Sequence, residues 1–199
     1  MKPASGNIGG EIEIIVQDKH GKTIKHLKKP MDSFVRNFMN YIHFADPGYW
    51  TCFDRNGAGV TFQSVSSGDN YLHSVYILAS EGEDEYGILV GSSDAAFDPT
   101  QYDLDSPITH GTGAGQLEYG AMSVVDAGDE YKTWQRAFDN SSGADVVVKE
   151  IGIAVKANRY EGGSVVAYYI LLARDVITST TVPNGGRLIV KYTFRINPT

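Results

Sequence analysis

The fold class is decided by a run of ten residues near the C-terminal end, Arg187-Leu188-Ile189-Val190-Lys191-Tyr192-Thr193-Phe194-Arg195-Ile196. Successive side chains of a β-strand point to opposite faces, so this run separates into an apolar face and a cationic face. The apolar face holds Leu188, Val190, Tyr192, Phe194 and Ile196, and the other face holds Arg187, Lys191 and Arg195. The pattern predicts a half-buried antiparallel strand.

Similar stretches recur towards the N-terminal end, separated by turn-forming residues. Strands are predicted at 11–16, 23–27, 72–79, 86–91, 116–124, 133–138, 145–155 and 165–173, the last as a long central strand, with a loop at 158–163. The 22 glycines and the 11% aromatic content favour tight turns and pleated surfaces. Short strands without alternating helices predict an all-β fold, mainly an antiparallel, jelly-roll-like β-sandwich, with one N-terminal α-helix.

The helix is predicted from an apolar stripe that follows the first hairpin. Lys28-Lys29-Pro30 is predicted to end the hairpin, and Asp32 or Ser33 can serve as the helix N-cap. The stripe consists of Phe34, Val35, Phe38, Met39 and Ile42, and the opposite face carries Arg36, Asn37 and Asn40. Asp46-Pro47-Gly48 is expected to stop the helix. The stripe can pack on the chain's own core or on a neighbouring subunit.

These elements suggest three regions within what we expect to be one structural domain. Residues 1–45 form a β-hairpin plus helix and are a possible assembly arm. Residues 46–70 are irregular and are expected to form a long ordered loop or a short strand pair. Residues 71–199 are expected to form the β-sandwich core.

The charge is unevenly distributed along the chain. The net charge of −7 divides into +3 for residues 1–45, −14 for residues 46–145 and +4 for residues 146–199. The acidic middle is either a solvated surface or one half of a head-to-tail charge complementarity between copies. Binding of nucleic acid requires a basic face, so no nucleic-acid partner is expected.

Cysteine usage and hydropathy narrow the setting further. The only cysteine is Cys52, so an intramolecular disulfide and a four-thiolate zinc site are both excluded. The longest apolar run, residues 165–173, has nine residues, whereas a membrane-spanning helix needs about 20. No membrane association is therefore expected.

The motifs of common chemistries are absent from the sequence. The segment Gly111-Thr112-Gly113-Ala114-Gly115 lacks the lysine of a phosphate-binding loop and precedes a predicted strand instead of a helix. No nucleophile elbow is found, and the histidines are scattered at positions 20, 26, 43, 73 and 110 without a zinc-binding pattern. We therefore expect no catalytic, cofactor-binding or metal-binding residues and no enzymatic activity.

Two binding alternatives remain open at this point. Calcium prefers several loop carboxylates, and these occur in two clusters. One loop, 81–85, carries Glu81, Glu83, Asp84 and Glu85, and the other, 94–105, carries Asp94, Asp98, Asp103 and Asp105. The aromatic residues Tyr49, Trp50 and Phe53 could stack on sugars or could belong to the local core.

Several turn and strand signatures resemble those of uncharacterised proteins from the structural gene clusters of tailed bacteriophages. They lie at 33–38, 86–91, 102–108, 136–145, 148–153, 172–176 and 182–186, so the resemblance covers most of the chain outside about 46–70. It implies a virion structural protein assembled in the host cytoplasm, with homo-oligomeric and other virion proteins as partners. A capsid decoration or cement protein, a head–tail connector or collar component and a tail component are all compatible. A carbohydrate- or receptor-binding β-sandwich is the alternative.

Overall fold

The structure is a computed structural model that describes residues 7–31, 33–42, 49–63 and 72–197. These residues contain twelve β-strands and one short helix. The strands are β1 (Asn7–Gln17), β2 (Thr23–Met31), β3 (Tyr49–Phe53), β4 (Gly59–Gln63), β5 (Leu72–Tyr76), β6 (Gly87–Gly91), β7 (Glu118–Tyr119), β8 (Ser123–Ala127), β9 (Tyr131–Asp139), β10 (Val146–Glu161), β11 (Ser164–Val182) and β12 (Arg187–Asn197), and the helix is α1 (Arg36–Ile42).

The larger sheet has six antiparallel strands in the order β2-β1-β12-β9-β7, with β8 also pairing with β9. The predicted C-terminal strand is its centre, because β12 pairs along its length with β1 and also with β9. Leu188, Val190 and Tyr192 are fully buried, as the alternation of the sequence predicts. The two terminal strands of the described chain therefore lie side by side.

The smaller sheet is organised around β10, with β11 on one side and both β5 and β6 on the other. The prediction that residues 165–173 form a central strand is wrong, because β11 lies at the edge of this sheet. The loop predicted at 158–163 is also wrong. Only Gly162 and Gly163, both with positive φ, form the turn, so the flanking strands stay paired up to Glu161 and Ser164.

The two sheets pack face to face and share one hydrophobic core. Tyr192 of the larger sheet places its hydroxyl 3.3 Å from the carbonyl oxygen of Ile151 and 3.3 Å from Oδ2 of Asp175, both in the smaller sheet. The predicted class, an all-β, mainly antiparallel sandwich with one N-terminal helix, is confirmed.

The N-terminal hairpin is an integral part of the larger sheet, which corrects the proposed boundary after residue 45. β1 lies between β2 and β12, and its side chains Ile12, Ile14 and Val16 are buried in the shared core. β2 also continues through Pro30 to Met31 instead of ending at residues 28–30. Proline is tolerated there because one side of an edge strand needs no N–H donor.

The helix is shorter than predicted and is orientated differently. It begins at Arg36, because the residues before it extend along the outer edge of β11, where Val35 N donates to Leu172 O and Ser33 O accepts from Arg174 N. Ser33 is therefore not the N-cap, and Asp32, like residues 43–48, lies outside the described residues. Met39 of the predicted apolar stripe is 61% exposed.

The side of the helix predicted to be polar and exposed faces β3. Asn37 is buried, donates through Nδ2 to Phe53 O and accepts from Phe53 N. Asn40 donates to Thr51 O. The two amides thus satisfy the backbone of a strand edge, which explains why polar side chains were selected on this side of a packed helix.

Residues 49–63 form the short strand pair that was one of the two expectations for the region 46–70. β3 pairs with β4, and Trp50, Cys52, Val60 and Phe62 contribute to the core. Residues 64–71 lie outside the described residues.

The single strand predicted at 116–124 is divided into β7 and β8. Gly120 N donates to Ala137 O, and Met122 N donates to Ala79 O in the other layer. Because Met122 bonds across the sandwich, the chain leaves the ladder of β9 between the two strands.

The position of β1 within the core yields a matched prediction. Ile14 is 1% exposed and Ile24 is 52% exposed, although both are isoleucines of the same hairpin. We expect Ile14→Ala to lower the free energy of unfolding by about 2–5 kcal/mol, because it leaves a cavity between the sheets. Ile24→Ala should change it by no more than about 0.5 kcal/mol. Urea denaturation followed by circular dichroism measures both, and equal losses would contradict the assignment of the hairpin to the core.

Candidate interaction surface

One buried arginine bonds to five backbone carbonyls and joins the two sheets. Arg136 on β9 is fully buried, and each of its five N–H groups has a carbonyl acceptor. Nε donates to Gly120 O at 2.8 Å, Nη1 donates to Tyr86 O and Ile88 O at 3.1 Å, and Nη2 donates to Ser80 O at 3.1 Å and Glu83 O at 2.5 Å. The acceptors belong to the loop before β6, to β6 itself and to the β7–β8 connection, so one side chain fixes all three.

The aromatic surroundings of Arg136 support a structural role. The guanidinium carbon lies 4.7 Å from the ring centroid of Tyr119 and 5.9 Å from that of Phe138, within the range of cation–π attraction. Burial lowers the pKa of Arg136 to about 10. The group therefore remains protonated at neutral pH and keeps all five donors.

A second buried arginine pairs with a glutamate and holds the long loop between β6 and β7. Arg174 and Glu150 are fully buried, with Nε 2.5 Å from Oε2. Arg174 also donates to Ala95 O and to Gln101 Oε1, whereas Glu150 accepts from Ser106 N at 2.7 Å and from Asp105 N at 3.1 Å. A Cβ at Gly91 would lie 2.4 Å from Oε1 of Glu150, so the carboxylate requires glycine there.

A third arginine connects the two acidic loops that were considered for calcium. Arg55, in the β3–β4 turn, places Nε 2.5 Å from Oδ1 of Asp103 and donates through Nη1 to the carbonyls of Asp84 and Glu85. The pKa of Asp103 is raised by burial, although the bond to Arg55 opposes the shift. The loops at 81–85 and 94–105 are thus linked through a cation that belongs to the protein.

Other carboxylates of the two loops also have partners within the chain. Asp94 pairs with Lys149 at 2.9 Å, Asp98 accepts from Thr100, and Asp84 accepts from His110 N at 2.7 Å. Within the part of the chain that the structure describes, no group of three or more acidic, histidine or cysteine side chains could hold a metal ion. The geometry of the described loops therefore does not favour the calcium alternative.

The aromatic residues considered for sugar stacking do not form a platform. Trp50 is buried and stacks on Phe62, with ring centroids 5.8 Å apart. Phe53 is only partly exposed, and its backbone is bonded to Asn37. The side chain of Tyr49 lies outside the described residues.

The outer face of the larger sheet is a shallow polar groove of about 550 Å³. Cross-strand pairs cover it: Lys191 and Glu13 lie 2.8 Å apart, and the hydroxyl oxygens of Thr133 and Thr193 lie 2.9 Å apart. His26 also contacts Glu13, at 2.6 Å. The acidic and basic side chains of this face are therefore largely neutralised by each other.

The two lateral edges of the larger sheet differ in character. β2, at one edge, contains Lys25, Lys28, Lys29 and Pro30. Lys25 and Lys29 reach across to β11, where they bond to Ser179 O and to Asp175. β8, at the other edge, reads Ser-Val-Val-Asp-Ala, and all five residues are exposed, with Val124 at 39% and Val125 at 45%. Among the described residues, β8 pairs with β9 alone.

Sequence reasoning missed both the buried arginines and this edge. Glu150 and Arg174 interrupt apolar runs, at Val148–Ile151 and after Leu172-Ala173, so a charge within a predicted buried strand was the available signal. The exposure of β8 had no local signal, because Val124 and Val125 have the composition of a core strand.

The role of Arg136 is tested by a pair of arginine substitutions. We expect Arg136→Met to lower the free energy of unfolding by at least about 3 kcal/mol, because buried carbonyls lose their donor. Arg187→Met is the control, since Arg187 is half exposed and bonded to Asp139 at the surface, and it should cost no more than about 1 kcal/mol. Chemical denaturation measures both variants, and a similar small loss in the two would refute the structural role of Arg136.

The thiol provides a test of core packing that needs no mutation. Burial raises the pKa of Cys52 to about 12, so at pH 8 the thiol stays protonated as well as inaccessible. We expect negligible labelling by iodoacetamide in the native protein at pH 8 and stoichiometric labelling in denaturant, measured by mass spectrometry. Rapid native labelling would show that the β3–β4 hairpin opens from the core.

No helix of the described chain is long and apolar enough to cross a membrane. Comparisons with protein-family models, with curated proteins and with solved structures find no match for this chain. A functional interpretation therefore depends on the geometry above and on the sequence resemblance.

Proposed function

We propose that the chain is a non-enzymatic virion structural protein of a tailed phage, which acts through contacts with further copies and with other virion proteins. The capsid surface, the head–tail connector or collar and the tail are all positions within this proposal. Support for the phage setting comes from the turn and strand signatures of the sequence. Support for an assembly role comes from one structural observation, the exposed edge strand β8.

An exposed edge strand carries unpaired N–H and C=O groups that can bond to another chain. The exposed valines of β8 add apolar surface beside these groups. The combination favours protein–protein contact, because main-chain bonds and apolar burial then act at the same place.

The buried arginines fit the same role. Arg136, Arg174 and Arg55 hold the loops at 80–86 and 95–106 against the sandwich from within. A subunit whose long loops are fixed in this way presents nearly the same surface before and after assembly, so little conformational entropy is lost on binding.

A carbohydrate- or receptor-binding module is the second candidate, and the polar groove on the larger sheet favours it. Gln135, Thr133 and Thr193 supply amide and hydroxyl groups, and Arg195 lies over the ring of Tyr131 at 5.3 Å. Such a lining could accept the hydroxyl groups of a sugar.

The virion proposal is tested with particles. We expect the protein to appear at stoichiometric levels in gradient-purified virions by mass spectrometry, and immunogold labelling should place it at one position of the particle. Its absence from particles that carry the other structural proteins would overturn the proposal. Glycan binding by the purified protein that is lost in Gln135→Ala, with no association with particles, would establish the alternative instead.

A further inference from the structure

The geometry points to β8 as a self-pairing edge: we propose that it pairs antiparallel with β8 of a second copy across a two-fold axis, joining the two larger sheets. This inference rests on the proposed assembly function and names its first partner. Three features of the molecule carry it: the contrast between the two edges of the sheet, the placement of the only charge on β8, and the apolar surface beside it.

The contrast between the edges indicates which of them is left open to pairing. Natural edge strands avoid pairing through lysines, prolines and inward-pointing charges. β2 has all three, since Lys28 and Pro30 are exposed and the side chains of Lys25 and Lys29 cross to β11. β8 has no lysine and no proline, and its two exposed valines favour strand pairing. Its one protective feature is a bulge between Val124 and Asp126.

The only charge of β8 is held away from the open edge. The hydroxyl of Tyr131, on β9, donates to Oδ1 of Asp126 at 3.1 Å. The contact also raises the pKa of Tyr131, because the carboxylate disfavours a phenolate beside it. Asp126 is thus drawn over β9, within its own sheet, and leaves the backbone of the edge accessible.

A second copy suits this edge because a two-fold axis brings a strand onto itself in antiparallel orientation. When the axis passes beside Val125, the two Val125 residues face each other and Asp126 faces Val124 of the second copy. The two carboxylates then do not lie directly opposite each other, which would be destabilising.

The apolar surface next to β8 extends the contact beyond the strand pair. Val124 faces Trp134 across the β8–β9 ladder, and Trp134 packs against Phe194 with ring centroids 5.2 Å apart. All three side chains keep part of their surface accessible. A five-residue strand pair alone buries less than the roughly 1,200 Å² of a standard interface, so we expect this row to contribute and the dimer to be reversible.

The first experiment measures self-association of the full chain by sedimentation velocity over a concentration series. We expect a monomer–dimer equilibrium whose dissociation constant rises at least tenfold in Val125→Lys. The control is Val75→Lys, since Val75 is 38% exposed on β5, an edge strand of the other sheet. A monomer at all concentrations would overturn the proposal, and so would a dimer lost in Val75→Lys but kept in Val125→Lys. Circular dichroism confirms that both variants fold.

The second experiment tests the register by a disulfide. Directly opposed residues of an antiparallel pair have Cα atoms about 4.5–5.5 Å apart, which a disulfide can span. The only native cysteine, Cys52, is buried, so an introduced cysteine at the surface is the reactive one. We expect Val125→Cys to form a covalent dimer under mild oxidation and Val75→Cys to remain monomeric on a non-reducing gel. Equal cross-linking of the two would refute the β8 interface.

Failure of this inference can be distinguished from failure of the proposed function. If the protein is found in virions but Val125→Lys and Val125→Cys behave like the Val75 controls, the virion role stands and β8 is not the self-pairing edge. If β8 mediates dimerisation but the protein is absent from virions, the interface stands and the virion role fails.

Discussion

The sandwich depends on a constraint that its composition alone would not suggest, namely that the buried carbonyls of the loop before β6 need donors. Residues 77–86 leave β5 and pass between the sheets without a strand partner, and unpaired carbonyls buried there would be costly. Arg136 supplies its five donors to this region, to β6 and to the β7–β8 connection. The relative position of the two sheets is thus linked to a single guanidinium.

The same solution recurs in the rest of the molecule. The pair formed by Arg174 and Glu150 holds the loop after β6, and Arg55 connects that loop to the one before β6. These three arginines stand among the carboxylates of an acidic central segment, which carries −14 over residues 46–145. Part of the negative charge that looked like an external surface therefore serves to fasten loops internally, as Asp103 and Asp94 illustrate.

An internally fastened frame limits the places where the protein can contact others. The polar face of the larger sheet is largely self-neutralised by pairs such as Lys191 with Glu13, and β2 is protected by lysines and Pro30. What remains is β8, whose backbone and valines lack a neighbour among the described residues. The proposed assembly role follows from this asymmetry: one edge resists pairing and the other permits it.

The sequence by itself determined the class of fold, the inward face of β12 and the first hairpin, because period-two alternation is a local property that survives whatever the strand pairs with. Only the tertiary structure decided that the hairpin lies within the core, that α1 starts at Arg36, and that β11 is an edge strand. Each depends on a partner distant in the chain: β12 for β1, the edge of β11 for Ser33 and Val35, and the carbonyls around Arg136. The open edge at β8 belongs to this second group, because exposure is set by which strands are neighbours and not by the residues of the strand itself.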